Sequence, residues 1–526
     1  MTISTWIIIF LVIQLVHFTG TWKMYQAAGR KAWEAAIPVY NVLVLMQIIK
    51  RPKWWVILLF VPIVNQIMFP VIWVETIRSF GFTSRKDTIL VVVTLGFYIA
   101  YLNYTQELKH RPERSLKPQS SAGEWISSIL FAVVAATIVH TYIMQPFTIP
   151  TSSLEKTLLV GDFLFVSKYH YGARAPLTPV ALPMVHDTIP VLRKRSYIKG
   201  GEYPFFRFPG FQKIKRNDIV VFSWPVDTLV DILNPYGGTY YKPIDKKSNY
   251  VKRCVGLPGD SIEVKDGRVW VNGVQNELPD RAKLQFSYGF KTNGPLSPSV
   301  FKRLGITDGV GVDPETKSYY YVPAATEEAA AQLAENSNVT EVFRYKAEPG
   351  EWDPTAFPRD DRYPWNHDYF GPLYIPQKGA TVAIDQNTIP LYRRIIEVYE
   401  GSELGIDNRV SLSGNQVLLN GEPLTEYTFK MDYYWMMGDN RNNSQDARNW
   451  GFVPFNHVVG KPVFIWMSID GINNGMSNWK FKWERFFTTV GGSGKPVSYF
   501  PYFLVALGGW WLVSFVMKRR KKNKAA

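Results

Sequence analysis

Apolar residues gather in runs at the two ends of the chain, and between them apolar and polar positions alternate. The runs fall at 6–18, 54–74, 88–104, 125–144 and 499–517. About twenty apolar residues cross the hydrocarbon core of a bilayer as a helix, so these runs predict membrane helices. The first is short, and Pro62, Asn65 and Pro70 interrupt the second. A weak repeat lies nearby: Ile37-Pro-Val-Tyr-Asn41 returns as Val61-Pro-Ile-Val-Asn65. An unpaired Asn is costly in lipid, so 36–50 reads as an interfacial or re-entrant helix. The first run has no basic segment before it and no small-residue cleavage site after it, unlike a secretory signal.

The stretch 147–497 predicts mainly β structure. Ile219-Val-Val-Phe222 has the pattern of a short buried strand. Two hairpins resemble each other: Ile262 to Gly273 and Val410 to Gly421 each have alternating apolar positions, a Gly turn and a closing Asn-Gly, a pair suited to tight turns. Residues 275–375 read as an irregular insertion in which only 324–336 looks helical. The expected organisation is a multi-span membrane region at 1–123, an anchor at 124–146, a first catalytic part at 147–262, a β-rich domain at 263–430 containing the insertion, a second catalytic part at 431–497, a last membrane helix at 498–517 and a basic tail at 518–526. The fold class is thus multi-pass membrane α-helices plus a mainly β extracytoplasmic domain.

Charge then orients the chain. The 526 residues carry a net +15, and 20% of them are charged. Segments 20–53, 105–123 and 518–526 hold +5, +2 and +6, leaving 147–497 near neutral at +2. Basic loops stay in the cytoplasm, so these three segments are assigned there and 147–497 outside. Loop 76–87, with Arg78, Arg85 and Lys86, is the exception, because five spans put it outside. The pI therefore reflects membrane orientation, and nucleic acid is not an expected partner. One cysteine, Cys254, leaves no intramolecular disulfide and no multi-cysteine zinc site.

Three polar clusters stand out against this background. Phe147-Thr-Ile-Pro-Thr-Ser-Ser153 lies just past the fourth run, with Thr157-Leu158 and Gly161-Asp162 following. Tyr250-Val-Lys252-Arg-Cys-Val-Gly-Leu-Pro-Gly-Asp260 embeds a lysine in a strand pattern, and Gly438-Asp-Asn-Arg-Asn-Asn-Ser444-Gln-Asp446-Ala-Arg448 is a dense polar loop between apolar flanks. Each alone reads as a turn, an edge strand or a structural loop. A serine hydroxyl needs a base, and none of the seven histidines forms a Ser-His-Asp arrangement. A lysine can serve if burial lowers its pKa from about 10.4. Tyr250, Val251, Val255 and Leu257 could bury Lys252.

With Asn217-Asp-Ile-Val-Val-Phe222, these clusters resemble in order and spacing the boxes of the bacterial type I signal peptidases, Ser/Lys endopeptidases, over roughly 124–260 and 380–470. The resemblance implies a β-fold like that of these peptidases and the self-cleaving repressors. It implies Ser153 as nucleophile, Lys252 as general base, Thr151 as oxyanion support, Ser444 orienting the lysine, and Asp446 with Arg448 as a supporting ion pair. Phe147, Ile149, Leu158, Tyr250 and Val251 would line small substrate pockets. The implied substrates are signal peptides of exported preproteins, cut after small residues at −3 and −1. No cofactor or metal is implied; the other partners are the lipid bilayer and the secretion machinery, and the location is the cytoplasmic membrane with the catalytic domain on its outer face. The chain departs from the family at Leu154, Lys156 and Asn442, where Met, Pro and Asp are usual. Trp435, Trp450, Trp466, Phe486 and Phe487 are candidate membrane-interface anchors. The alternative is a non-catalytic membrane scaffold with a peptidase-like domain.

Overall fold

The computed structural model describes residues 3–118, 120–231, 234–239 and 241–525. The chain forms two units, residues 1–143 with 174–208, and residues 144–173 with 209–526. The basic side chains beyond Lys518 lie outside those described.

The first unit contains helices α1 (Ile3–Ala27), α2 (Tyr40–Ile48), α3 (Trp55–Leu58), α4 (Val64–Ser79), α5 (Arg85–Val93), α6 (Phe97–Thr105) and α7 (Ser121–Ile138). Among the described residues, three helical stretches are long and apolar enough to cross a membrane: Ser4–Ala27, Ser121–Ile143 and, in the second unit, Phe500–Lys518. The runs at 54–74 and 88–104 are broken instead. The first breaks at Ile63, φ 71°, and the second at Leu95 and Gly96, φ 51° and 88°. The break leaves α5 and α6 nine residues each, or about 13 Å at 1.5 Å per residue, under half the hydrocarbon thickness.

The Pro-x-x-Asn repeat is architectural. Val39 and Ile63 both follow the proline, have φ 67° and 71° with ψ −47°, and open α2 and α4. The Asn41 amide N–H donates to Ile37 O, and that of Asn65 to Val61 O. The Asn41 side chain donates to Gln14 Oε1 at 2.7 Å and to Ala35 O at 3.3 Å, which answers the cost of burying it.

One expectation is corrected here. Loop 76–87 was assigned to the side opposite 105–123, yet the two are bonded to each other. Arg111 N–H donates to Ser79 O, Arg114 Nε donates to Ser79 Oγ, and Arg114 pairs with Glu75 at 2.6 Å. The cause is the break at Leu95–Gly96, which turns the chain back so that Asn103 and Tyr104 meet Met24 and Trp22 of α1.

The second unit is built on an antiparallel sheet. Its strands are β1 (Met144–Thr148), β2 (Asp162–Ser167), β3 (Ile219–Ser223), β4 (Asn249–Gly256), β5 (Tyr433–Met437), β6 (Val453–Pro454) and β7 (Val458–Asp470), in the order β1-β2-β7-β3-β4-β5-β6. The strand expected at 219–222 is β3, buried along its whole length. Both expected hairpins form, pairing Ser261–Lys265 with Arg268–Val271 and Val410–Ser413 with Gln416–Leu419. Tight turns of this kind need residues that tolerate positive φ. The turns inside the hairpins supply them, with φ 51° at Asp266, 71° at Gly267 and 56° at Gly414, and the closing Asn-Gly pairs turn each second strand onto a third, with φ 51° at Asn272, 82° at Gly273, 54° at Asn420 and 91° at Gly421.

The insertion is not irregular. Phe286–Thr292, Tyr319–Ala325 and Val339–Arg344 form a sheet with Gly311–Val312, backed by helices Pro298–Arg303 and Glu327–Ala334. It has its own core of Phe286, Phe290, Tyr320, Val322 and Leu333. Three of the five aromatic anchors are corrected: Trp435 is fully buried and Trp450 is buried, each in an apolar cluster, and Phe486 is buried, whereas Trp466 and Phe487 stay partly exposed.

Candidate active site

β1 leaves the sheet at Thr148 and returns as β2 at Asp162. The intervening loop is pinched at its base, where Ile149 N–H donates to Asp162 O and Gly161 N–H to Ile149 O. Leu154 and Leu158 turn inward, almost wholly buried, to pack with Ile149, Leu164, Val166, Ile219 and Val221. They fix the loop so that Ser153, 6% exposed, stands at its turn.

Long-range bonds dock this turn onto the loop that follows β5. Asn440 N–H donates to Ser153 O at 3.1 Å, and Asn440 Nδ2 to Ser152 O at 3.3 Å. Thr157 Oγ1 donates to Asp439 Oδ2 at 3.1 Å. The contact is tightest at Gly438. A Cβ there would stand 2.2 Å from Ser444 Oγ and 2.7 Å from Ser153 O, so only glycine fits.

β4 brings in the lysine. Met436 and Met437 of β5 pair with Cys254 and Arg253 of β4, so continuing that register sets Gly438 opposite Lys252. Gly438, against which Ser153 O and Ser444 Oγ pack, thereby lies beside the strand position of Lys252. Lys252 is 4% exposed, and burial lowers its pKa to about 8 although Asp446 pulls the other way. Its Nζ lies 5.9 Å from the Tyr250 ring centroid. Among the described residues no ion pair or side-chain hydrogen bond holds it. Ser444 Oγ is buried and unpartnered among them as well.

Asp446 and Arg448 pair through two bonds, Nε to Oδ1 at 2.9 Å and Nη2 to Oδ2 at 2.8 Å. Burial would raise the Asp446 pKa, but Arg448 outweighs it and holds the acid at about 2. Asp446 also accepts from Gly438 N–H at 3.1 Å and caps the short helix Ala447–Trp450. This ionised acid thus ties the polar loop to the end of β5.

Four of the five expected pocket residues meet. Phe147, Ile149, Leu158 and Val251 share one apolar cluster. Tyr250 does not join it. Strand alternation turns it to the other face of β4, stacked on Trp224 with centroids 5.0 Å apart. Thr151 is exposed on the turn.

A second buried ion pair, Arg253 with Asp439, supports the site. Arg253 donates from Nε to Oδ1 at 2.8 Å and from Nη2 to Oδ2 at 2.6 Å, both groups almost wholly buried. It clamps β4 to the Asp439 loop and donates to Thr157 Oγ1 at 3.2 Å. The signal was available: an Arg next to the embedded Lys and an Asp next to the invading Gly, both within apolar strands.

Residues 122–297 and 375–467 match the family described as signal peptidase, peptidase S26. Residues 33–111 match a family of unknown function. Signal peptidase I of Haemophilus influenzae is 25% identical over 394 residues, 73% of this chain and 80% of that protein. Signal peptidase I of Helicobacter pylori strain J99 is 23% identical over 382 residues, 71% of this chain and 93% of that protein. That of Rickettsia felis is 25% identical over 346 residues, 66% and 79% of the two chains.

Proposed function

The chain belongs to the signal peptidase family of S26 peptidases, and from that premise we propose how its own residues perform the cleavage. It is a serine endopeptidase that removes signal peptides from preproteins. Neutral Lys252 takes the Ser153 Oγ proton as Oγ attacks the carbonyl carbon after the small −1 residue. The negative charge that develops on the carbonyl oxygen is met by the Ser153 N–H and the Thr151 hydroxyl. When the C–N bond breaks, the Lys252 ammonium returns its proton to the departing amine. The signal peptide is then held as an ester on Ser153. Lys252, neutral again, takes a proton from water as its oxygen attacks the ester carbonyl, and returns that proton to Ser153 Oγ when the ester C–O bond breaks, which frees the signal peptide as its carboxylic acid. Ser444 orients the lysine, and Asp446 with Arg448 holds the loop that carries Ser444.

The observation that supports this reading best is the buried, uncommitted Lys252. A lysine with pKa near 8 is close to the operating pH, where a general base works best. Phe147, Ile149, Leu158 and Val251 supply an apolar wall for small side chains. We further propose that the catalytic unit faces outward from the cytoplasmic membrane and works with the secretion machinery.

The test is cleavage of a preprotein peptide with an Ala-x-Ala cut site by purified full-length protein. Ser153→Ala and Lys252→Ala should each lose at least about 10³-fold in kcat, the scale seen when one member of a cooperating pair is removed. Cleavage within about tenfold of wild type by either variant overturns the assignment.

A further inference from the structure

The insertion reaches the nucleophile turn through one short segment. Gly305 O accepts from Lys156 Nζ. Thr307 Oγ1 donates to Glu155 Oε1 at 3.2 Å. Asp308 Oδ2 accepts from three donors: Ser152 Oγ at 3.2 Å, Asn440 Nδ2 at 3.2 Å and Asn443 Nδ2 at 3.0 Å. Asn443 Nδ2 also donates to Ser152 Oγ at 3.1 Å. One carboxylate oxygen therefore joins the residue before Ser153 to both ends of the loop that leads to Ser444.

The backbone shows why the turn needs this support. Lys156 has φ 75°, a conformation rare outside glycine that persists only where the surroundings over-determine it. The bonds from Lys156 and Glu155 to the insertion provide that constraint. A proline, whose ring locks φ in the negative range, could not adopt this turn. The departure from the family at Lys156 and the contact with the insertion thus go together.

We propose that Asp308 is a positioning residue: from the insertion it fixes the separation between the Ser153 turn and the Ser444 loop. The inference rests on Ser153 being the nucleophile. Hydrogen bonds to an ionised oxygen are roughly twice as strong as neutral ones, so three donors on Oδ2 make a firm junction. Asp308 is only partly buried, so its removal leaves the insertion core of Phe286, Phe290 and Leu333 intact.

Full-length protein carrying Asp308→Ala or Asp308→Asn is compared with wild type for kcat, KM and thermal midpoint on the same peptide. Asp308→Ala should lower kcat by roughly 10- to 100-fold, the scale of a misplacement of about 1 Å, with KM within about twofold. The midpoint should hardly move. Asp308→Asn, which keeps an acceptor, should recover part of the loss. Adding Asn443→Ala to Asp308→Ala should cost less than the sum of the two, because both belong to one junction. Unchanged kcat overturns the proposal, as does a loss in KM alone, which would mark a substrate contact. A loss that follows the midpoint in both variants would mark a purely structural role and also overturns it. Activity retained by Ser153→Ala would remove the premise, a result read independently of the Asp308 variants.

Discussion

Keeping Lys252 4% exposed costs the fold stability. A pKa lowered from 10.5 to about 8 corresponds to about 3 kcal/mol at roughly 1.36 kcal/mol per unit. Below pH 8 both folded and unfolded chains carry the proton, so the full penalty is present. Between about 8 and 10.5 the folded chain has shed the proton while the unfolded chain keeps it, and stability rises with pH. Above that range the penalty is gone. Lys252→Met should therefore raise the thermal midpoint at pH 7, with the gain shrinking toward pH 10.5, while abolishing cleavage. The same titration governs rate: kcat/KM should climb about tenfold per pH unit below 8 and level off above it. A profile flat from pH 6 to 9 would remove Lys252 as the base. The residue itself was legible, since a lysine among Tyr250, Val251 and Val255 reads as buried. Its lack of partners was not, because that depends on where Asp446 and Asp439 spend their charge, on Arg448 and Arg253.

Gly438 closes strand β5 against the nucleophile turn, and here the backbone carries the function. Its would-be Cβ collides with Ser153 O, a main-chain atom that cannot rotate away. Gly438→Ala should lower kcat by at least about 100-fold through displacement of Ser153, whereas Gly294→Ala, with nothing within 4 Å, should behave as wild type. Equal activity of the two variants would show that the contact is not needed. Other elements differ in how openly they announce themselves. The hairpins at 261–271 and 410–419 were readable because their turn chemistry is local. The insertion sheet was missed although the large apolar side chains of Phe286, Tyr288 and Phe290 recur at every second position, in a stretch that is buried throughout from 286 to 290. Its partner strands, Tyr319–Ala325 and Val339–Arg344, lie far along the chain, and the first opens on three consecutive tyrosines, which hide any alternation.

For the whole molecule, three long apolar helices fit the proposed orientation. In that proposal Ser121–Ile143 follows the basic segments 20–53 and 105–123 along the chain, and Phe500–Lys518 precedes the basic tail. The fold-back of α5 and α6 removes the one conflict with the positive-inside rule, since 76–82 now shares an end with 105–116. Cys254 is the single cysteine and is buried, so the wild type gives a silent background for labelling. A membrane-impermeant maleimide added to intact cells with a permeable outer barrier should label Glu351→Cys at once and Lys109→Cys only after the inner membrane is opened. The reverse order would invert the proposed orientation.

The sequence by itself determined the chemistry and the local structure. A serine turn after an apolar run, a lysine inside a strand and a Gly-Asp-Asn-Arg loop are covalent neighbourhoods, and turns such as Asn272-Gly273 close on bonds a few residues apart. Tertiary structure alone decided which surfaces meet. It turned Tyr250 away from Phe147 and Val251, buried Trp435, folded α5 onto α6, and brought Asp308 to Ser152 across 156 residues. Burial and long-range pairing depend on which distant segments arrive at one place, and no local pattern of apolar and polar positions encodes that choice.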